Sequence, residues 1–298
     1  MVSARKEKTK NGLAQRASGT LSKQAFIMTV GALEQALLKK YPADDAEAWD
    51  RTGLSVGDPT RPIERVALAL DPTVEAVKEA ASIGANVLVT HHPVFLEAPD
   101  AFHPAASSAV ENGAVVWAAI ESGVAIMSFH TALDVSQDAS RTLPGMLNLM
   151  LKGIIDPLES NKRKGYGQLC SVRVADSPLT LEQFAARCTS VFGKQPRVWG
   201  DFSRELSSVV TCTGSAGDLP AKCLGMGIDC LVAGEVKYHD ALSASQAGLA
   251  IIDLGHDTSE LPLVAVLAGA VEASGVPKEK IAVLDQSANW MYPETTRM

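Results

Sequence analysis

The sequence has no apolar run long enough to cross a membrane, which excludes a transmembrane span. Its basic N-terminus is not followed by the apolar middle of a secretory signal. There is no C-x-x-C pair: Cys170, Cys188, Cys212, Cys223 and Cys230 are odd in number, and none adjoins a histidine. A disulfide framework and a zinc finger are therefore not expected, and free thiols in a reducing, cytoplasmic compartment are. An excess of positive charge is missing too, since the net charge of −7 argues against general nucleic-acid binding. The one basic stretch is residues 1–26, where six cations face Glu7 alone. Within it, residues 1–24 hold few large apolar groups and read as a disordered tail. Finally, Gly214-Ser215-Ala216-Gly217 lacks the lysine and the spacing of a phosphate-binding loop, and reads as a strand-to-helix turn.

A chain of 298 residues can bury the core of two lobes. A helix is expected over 28–41, with Met28, Leu33, Leu37 and Leu38 on one face. Trp49 to Gly57 reads as a packed loop and Arg65 to Leu70 as a strand. Asp71-Pro72 then looks like a helix start, with Asp as N-cap and Pro at the first helical position. That helix runs to about Ile83 and ends at Gly84. Val87-Leu88-Val89 suits a strand buried on both faces, which ends at His91-His92-Pro93. His103 reads as a surface histidine. A helix over 108–122 leads to the strand Val124 to Met127, which ends at His130 to Asp134. The order is βαβαβ, which implies a parallel sheet covered by helices.

The second half has the same rhythm. Gly165 to Val174 reads as a strand. Thr180 and Gln183 form a capping box, stapled by Leu179 and Phe184, on a helix ending near Gly193. Val209 to Thr213 is the next strand. Gly84 to Thr90 then resembles Gly227 to Ala233, and Gly123 to Ile126 resembles Gly248 to Ile251, so a duplicated α/β unit is inferred. A helix over about 259–274 and a strand Ile281 to Leu284 come last. The expected division is a first lobe over 25–150, a second over 151–249, and a closing segment 250–298 packing near the first.

All the histidine clusters fall at expected C-terminal ends of strands, the edge where open α/β sheets build sites. Two adjacent imidazoles after a strand point different ways and can serve two neighbouring metal ions. His130 and Asp134 are four apart, as are His256 and Glu260, which puts each pair on one face of a helical first turn. Imidazole with carboxylate suits divalent Zn, Mn or Fe. Taken alone, each pair is more economically a cap or a surface contact; their meeting at one sheet edge favours the metal.

Six stretches then carry a family resemblance: Trp49-Asp50 through Gly57, Leu70-Asp71-Pro72-Thr73, Thr90-His91-His92-Pro93-Val94-Phe95, His130-Thr131-Ala132-Leu133-Asp134, Gly234-Glu235-Val236-Lys237-Tyr238-His239-Asp240, and Gly255-His256 to Glu260. With them the chain resembles the Nif-three-like family of dinuclear-metal-centre proteins, the GTP cyclohydrolase 1 type 2 homologues. The resemblance implies a two-lobed α/β fold, a metal site between the lobes at strand C-terminal ends, two divalent metals per subunit and a toroidal homohexamer. It implies His91, His92, Asp134, His256 and Glu260 as ligands, with Glu260 bridging and His130 nearby. Ala132 stands where the family often has Asn or another polar residue, and the second-lobe glycine turn is less glycine-rich than usual. The activity implied is metal-dependent hydrolysis of a small molecule, GTP or another nucleotide, with His130 or His239 moving protons. A non-catalytic metal-binding or regulatory scaffold is the competing class. A two-metal phosphodiesterase is a third, though Thr90 stands where one such family has Asp.

Overall fold

The computed structural model describes residues 27–104 and 112–290; the basic tail lies outside the described residues, as does the expected start of the helix at 108. Helix α1 (Val30–Lys40) is capped by Thr29, whose hydroxyl accepts from the Ala32 amide, and it buries Val30, Leu33 and Leu37 along one stripe. Strand β1 (Gly53–Val56) precedes β2 (Val66–Ala69). Helix α2 (Val74–Ser82) starts later than expected. Thr73, not Asp71, is its N-cap and accepts from Ala76, which leaves the Asp71 carboxylate for another partner. Strand β3 (Val87–Thr90), helix α3 (Asn112–Ser122) and strand β4 (Ala125–Ser128) complete the expected βαβαβ order, and β2, β3 and β4 pair in parallel.

After the short helices α4 (Thr131–Asp134) and α5 (Thr142–Met146) the chain builds a second sheet. Its strands and helices are β5 (Met150–Pro157), β6 (Gly165–Ser171), β7 (Leu179–Thr180), α6 (Leu181–Phe192), β8 (Arg197–Trp199), β9 (Glu205–Leu206), β10 (Ser208–Ser215), α7 (Leu219–Met226), β11 (Cys230–Glu235), α8 (Tyr238–Gln246) and β12 (Ala250–Asp253). β7 and β9 pair with each other as a separate two-stranded ribbon. The capping box of Thr180 and Gln183 forms on α6, and Gly193 ends that helix in the left-handed conformation. All five cysteines are free and buried.

The two large sheets run β1-β4-β3-β2-β13 and β5-β6-β10-β11-β12-β8, where β13 is Ile281–Val283. In each, three successive parallel strands, β2-β3-β4 and β10-β11-β12, are flanked by an antiparallel edge strand that precedes them in the chain, β1 on β4 and β8 on β12, and β13 adds a fourth parallel strand to the first sheet. The sequence echo is thus a repeat of topology. Its leading glycines, Gly84 and Gly227, both have positive φ where a helix gives way to the middle strand. Alternate residues of the inner strands enter different cores, Val66 and Leu68 one, Ala67 and Ala69 the other, which explains the unbroken apolar runs.

The chain from Ala250 serves both sheets. Ala250–Asp253 is an inner strand of the six-stranded sheet, and only the chain beyond Asp253 crosses over. Helix α9 (His256–Ala273) begins three residues before the expected position, with the Ser259 amide donating to the Gly255 carbonyl. It buries Leu263, Val264, Leu267 and Val271 in the core beside α1, β2 and β3. At roughly 1.5–3 kcal/mol for each buried side chain, this outweighs the ~3 kcal/mol cost of Pro262 inside the helix. β13 then joins β2 in parallel, Ile281 opposite Val66. Among the described residues no helix is long and apolar enough to cross a membrane.

Candidate metal centre

The donors come from the C-terminal ends of strands in both sheets. His91 and His92 follow β3, and their amides continue the ladder to the carbonyls of Ala69 and Leu70. His130 follows β4 as the residue before α4, and Asp134 is the last residue of that helix. His256 opens α9, and Glu260 lies one turn on; their facing atoms, Nε2 and Oε2, are 3.3 Å apart.

Each imidazole is held by its Nδ1. That atom lies 3.1 Å from the Phe129 carbonyl in His91, 2.7 Å from Asp71 Oδ1 in His92, 3.2 Å from Asp50 Oδ1 in His130 and 3.2 Å from Glu235 Oε2 in His256. A carbonyl or a carboxylate can only accept, so Nδ1 carries the proton and Nε2 is left as the donor atom. The Nε2 atoms of His91, His92 and His256 converge on Glu260. His92 Nε2 is 3.0 Å from Oε2, and His91 Nε2 is 3.7 Å from Oε1 and 3.5 Å from Asp134 Oδ1. Three sets of donors have atoms within 4.8 Å of one another: His92, His256 and Glu260; His91, Asp134 and Glu260; and His91, His92 and His130. Glu260 belongs to the first two.

These approaches lack the direction of hydrogen bonds. His91 Nε2 and Glu260 Oε2 are buried with no hydrogen-bond partner among the described residues. An orphaned buried polar atom costs about 1–3 kcal/mol, and a cation between the donors would satisfy both. The donor set is nitrogen and carboxylate oxygen, which fits Zn, Fe or Mn. These clusters could hold a metal ion.

The electrostatics agree. Burial would lower the His92 imidazole, but Asp71 and Glu260 outweigh it and push it up to about 10. The Glu260 carboxylate raises His256 to about 9. Burial would raise Glu260, but His256, His91 and His92 hold it well below the usual carboxylate range. Burial, against the attraction of His91, raises Asp134, as does the like charge of Glu260. The site draws positive charge, and protons compete with a metal for the same nitrogens.

Of the residues expected here, the structure brings together His91, His92, His130, Asp134, His256 and Glu260. It does not bring His239, which is exposed on α8 with its ring 5.2 Å from that of Tyr238 and belongs to none of the donor sets among the described residues. His103 is half-buried, its Nδ1 3.1 Å from the Pro104 carbonyl. Three readings need correction. Asp71 is a partner of His92 and not a helix cap. The loop at Trp49 is part of the site: Asp50 is buried and accepts from His130 and Thr131, and the Trp49 ring lies edge-on to His130 at 5.7 Å. Gly214 is not merely turn. It is still in β10, and a Cβ there would sit 2.3 Å from Glu260 Oε1. A signal for two of the missed residues was present, since Asp71 lies just past β2 and Glu235 is the last residue of β11, the same sheet edges that carry the histidines.

Past His130 and Asp134 the site opens into a cavity of about 370 Å³ walled by Trp49, Tyr166, Glu47 and Asp156. Burial, helped by Asp134, pushes the Tyr166 phenol up and keeps it protonated.

Known proteins resemble this chain in sequence and in fold. The GTP cyclohydrolase 1 type 2 homolog of Streptomyces coelicolor is 31% identical over 234 residues, 76% of this chain and 80% of that protein. The NIF3 homolog of Schizosaccharomyces pombe is 26% identical over 243 residues, 76% of this chain and 83% of that protein. The solved structure of a Bacillus cereus protein related to NIF3 matches with a TM-score of 0.78 at 19% identity, covering 90% of this chain and 100% of that one. A Staphylococcus aureus hypothetical protein matches with a TM-score of 0.78 at 23% identity, covering 89% and 99%. The family described as Duf34/NIF3 (NGG1p interacting factor 3) matches residues 28–289, and the chain belongs to it.

Proposed function

We propose that this chain is a dinuclear-metal hydrolase acting on a nucleotide-like small molecule. The observation that carries the reading is the pair of donor triads sharing Glu260. One metal would be held by His91, Asp134 and Glu260, the other by His92, His256 and Glu260. Such a pair, when bound, supplies Lewis acidity that makes water a nucleophile near neutral pH. Glu260 offsets the repulsion of two cations, and its depressed proton affinity keeps it ionised for that role. His130 stands beside the donors with Nδ1 fixed by Asp50, so its Nε2 can take or give a proton. The protonated Tyr166 phenol offers a hydrogen bond from the cavity wall. The adjoining cavity favours catalysis over a purely structural metal site, which would need no space beside it. The names of the bacterial relatives support a nucleotide substrate. Metal-reconstituted protein should turn over at least one member of a nucleotide and nucleoside panel, and His92→Ala should abolish it. Metal-loaded protein inert across the panel would reject the hydrolase.

A further inference from the structure

A second cavity, about 350 Å³, lies along the edge strand β5 and is lined by Arg141, Lys152, Lys162 and Arg163. All four are exposed, and none has an ion-pair partner among the described residues. In a chain of net charge −7 this is a local reversal of sign. Four like charges around one groove repel each other unless an anion sits among them. The cavity at the metal donors has the opposite character. Its walls include Glu47, Asp156 and Asp218, and the nearby Lys222 is already paired with Asp156 at 2.6 Å and Asp218 at 3.1 Å. No lysine or arginine lines it.

The linings of the two cavities draw on the same stretches of chain. Ile154 lines the basic groove and Asp156 the other cavity. Two residues apart in β5, they face the same side of the sheet about 7 Å apart. In the same way Asp134 lines one cavity and Gln137, three residues on, the other. Resting on the hydrolase reading above, we propose that the substrate site continues into this groove: Arg141, Lys152, Lys162 and Arg163 seat a phosphate group away from the metal donors, and the uncharged end of the same molecule meets those donors. The chemistry then falls on the heterocyclic end and not on the phosphates.

The test is calorimetric titration of the full chain, metal-free and metal-loaded, with tripolyphosphate, guanosine and GTP. Tripolyphosphate should bind the metal-free chain, more weakly as salt rises. Lys152→Gln with Arg163→Gln should weaken tripolyphosphate and GTP about tenfold or more while leaving guanosine affinity and metal content unchanged. Arg141→Gln should act in the same direction. The inference is overturned if tripolyphosphate does not bind, binds only when metals are loaded, or binds the double variant as well as wild type. A single-stranded oligonucleotide binding more tightly than GTP would overturn the small-ligand class. Loss of the hydrolase reading would show separately, as chain that binds tripolyphosphate but takes up no metal.

Discussion

At the scale of the residue, the decisive contrast is between Glu260 and Asp71. Glu260 faces His91, His92 and His256 at once and belongs to two donor sets. Glu260→Gln keeps its size but removes its charge. We expect it to lower the occupancy of both metals, whereas His91→Ala or His92→Ala chiefly lowers one, read by elemental analysis of folded protein. Two metals retained in Glu260→Gln would reject the sharing. Asp71 touches His92 only at Nδ1. Because Thr73 caps α2, Asp71→Asn should leave α2 capped and the fold intact while weakening metal affinity roughly 10–100-fold, as removal of a histidine's outer partner typically does. Competition with a graded chelator measures this. A lowered melting temperature with metal affinity intact would instead make Asp71 a helix residue.

At the scale of the element, α9 links core and site. Its first turn carries His256 and Glu260, and its later turns are buried beside α1 and the first sheet. Leu267→Ala should cost about 2–5 kcal/mol of stability, seen in urea unfolding, and it should loosen metal binding although Leu267 is no donor. Unchanged metal affinity in a destabilised variant would separate the helix's two ends. The β10–β11 pairing depends on Asp229, which accepts from the amides and hydroxyls of Ser207 and Ser208 and pairs with Arg204 at 2.9 Å. Burial would raise its carboxyl, but those bonds outweigh it and hold the group below the usual range. A depressed native value means that the stabilisation is present above the ordinary aspartate pKa and is lost as pH falls through the lower native one. Asp229→Asn should therefore cost about 1.5–3 kcal/mol at pH 7, and the gap from wild type should narrow in strong acid. A gap that did not change with pH would show that charge is not the cause.

At the scale of the whole molecule, the two sheets repeat one topology and place their strand ends around one site. The homohexamer implied by the family resemblance is expected to appear in light scattering as a particle of about six times the 31.4 kDa chain. A monomer at working concentration would reject it. The βαβαβ order was legible because apolar runs, glycines after helices and a capping box are local signals, and local sterics set them. The outer ring of the site was not. Asp50 reaches His130 across 80 positions, and Glu235 reaches His256 across 21. No periodicity reports such pairings.

The sequence by itself determined which residues stand at strand ends: His91-His92 after β3, His130 to Asp134 after β4, and His256 to Glu260 after β12. Side-chain alternation and helix-ending glycines act over a few residues, so they are readable in one dimension. Only the tertiary structure decided that α9 crosses to the first sheet, because that depends on where Leu263, Leu267 and Val271 find apolar partners distant in sequence. The same crossing makes Glu260 common to two donor sets and makes Gly214 a site residue, since only a residue without a Cβ lets β10 approach Glu260 so closely.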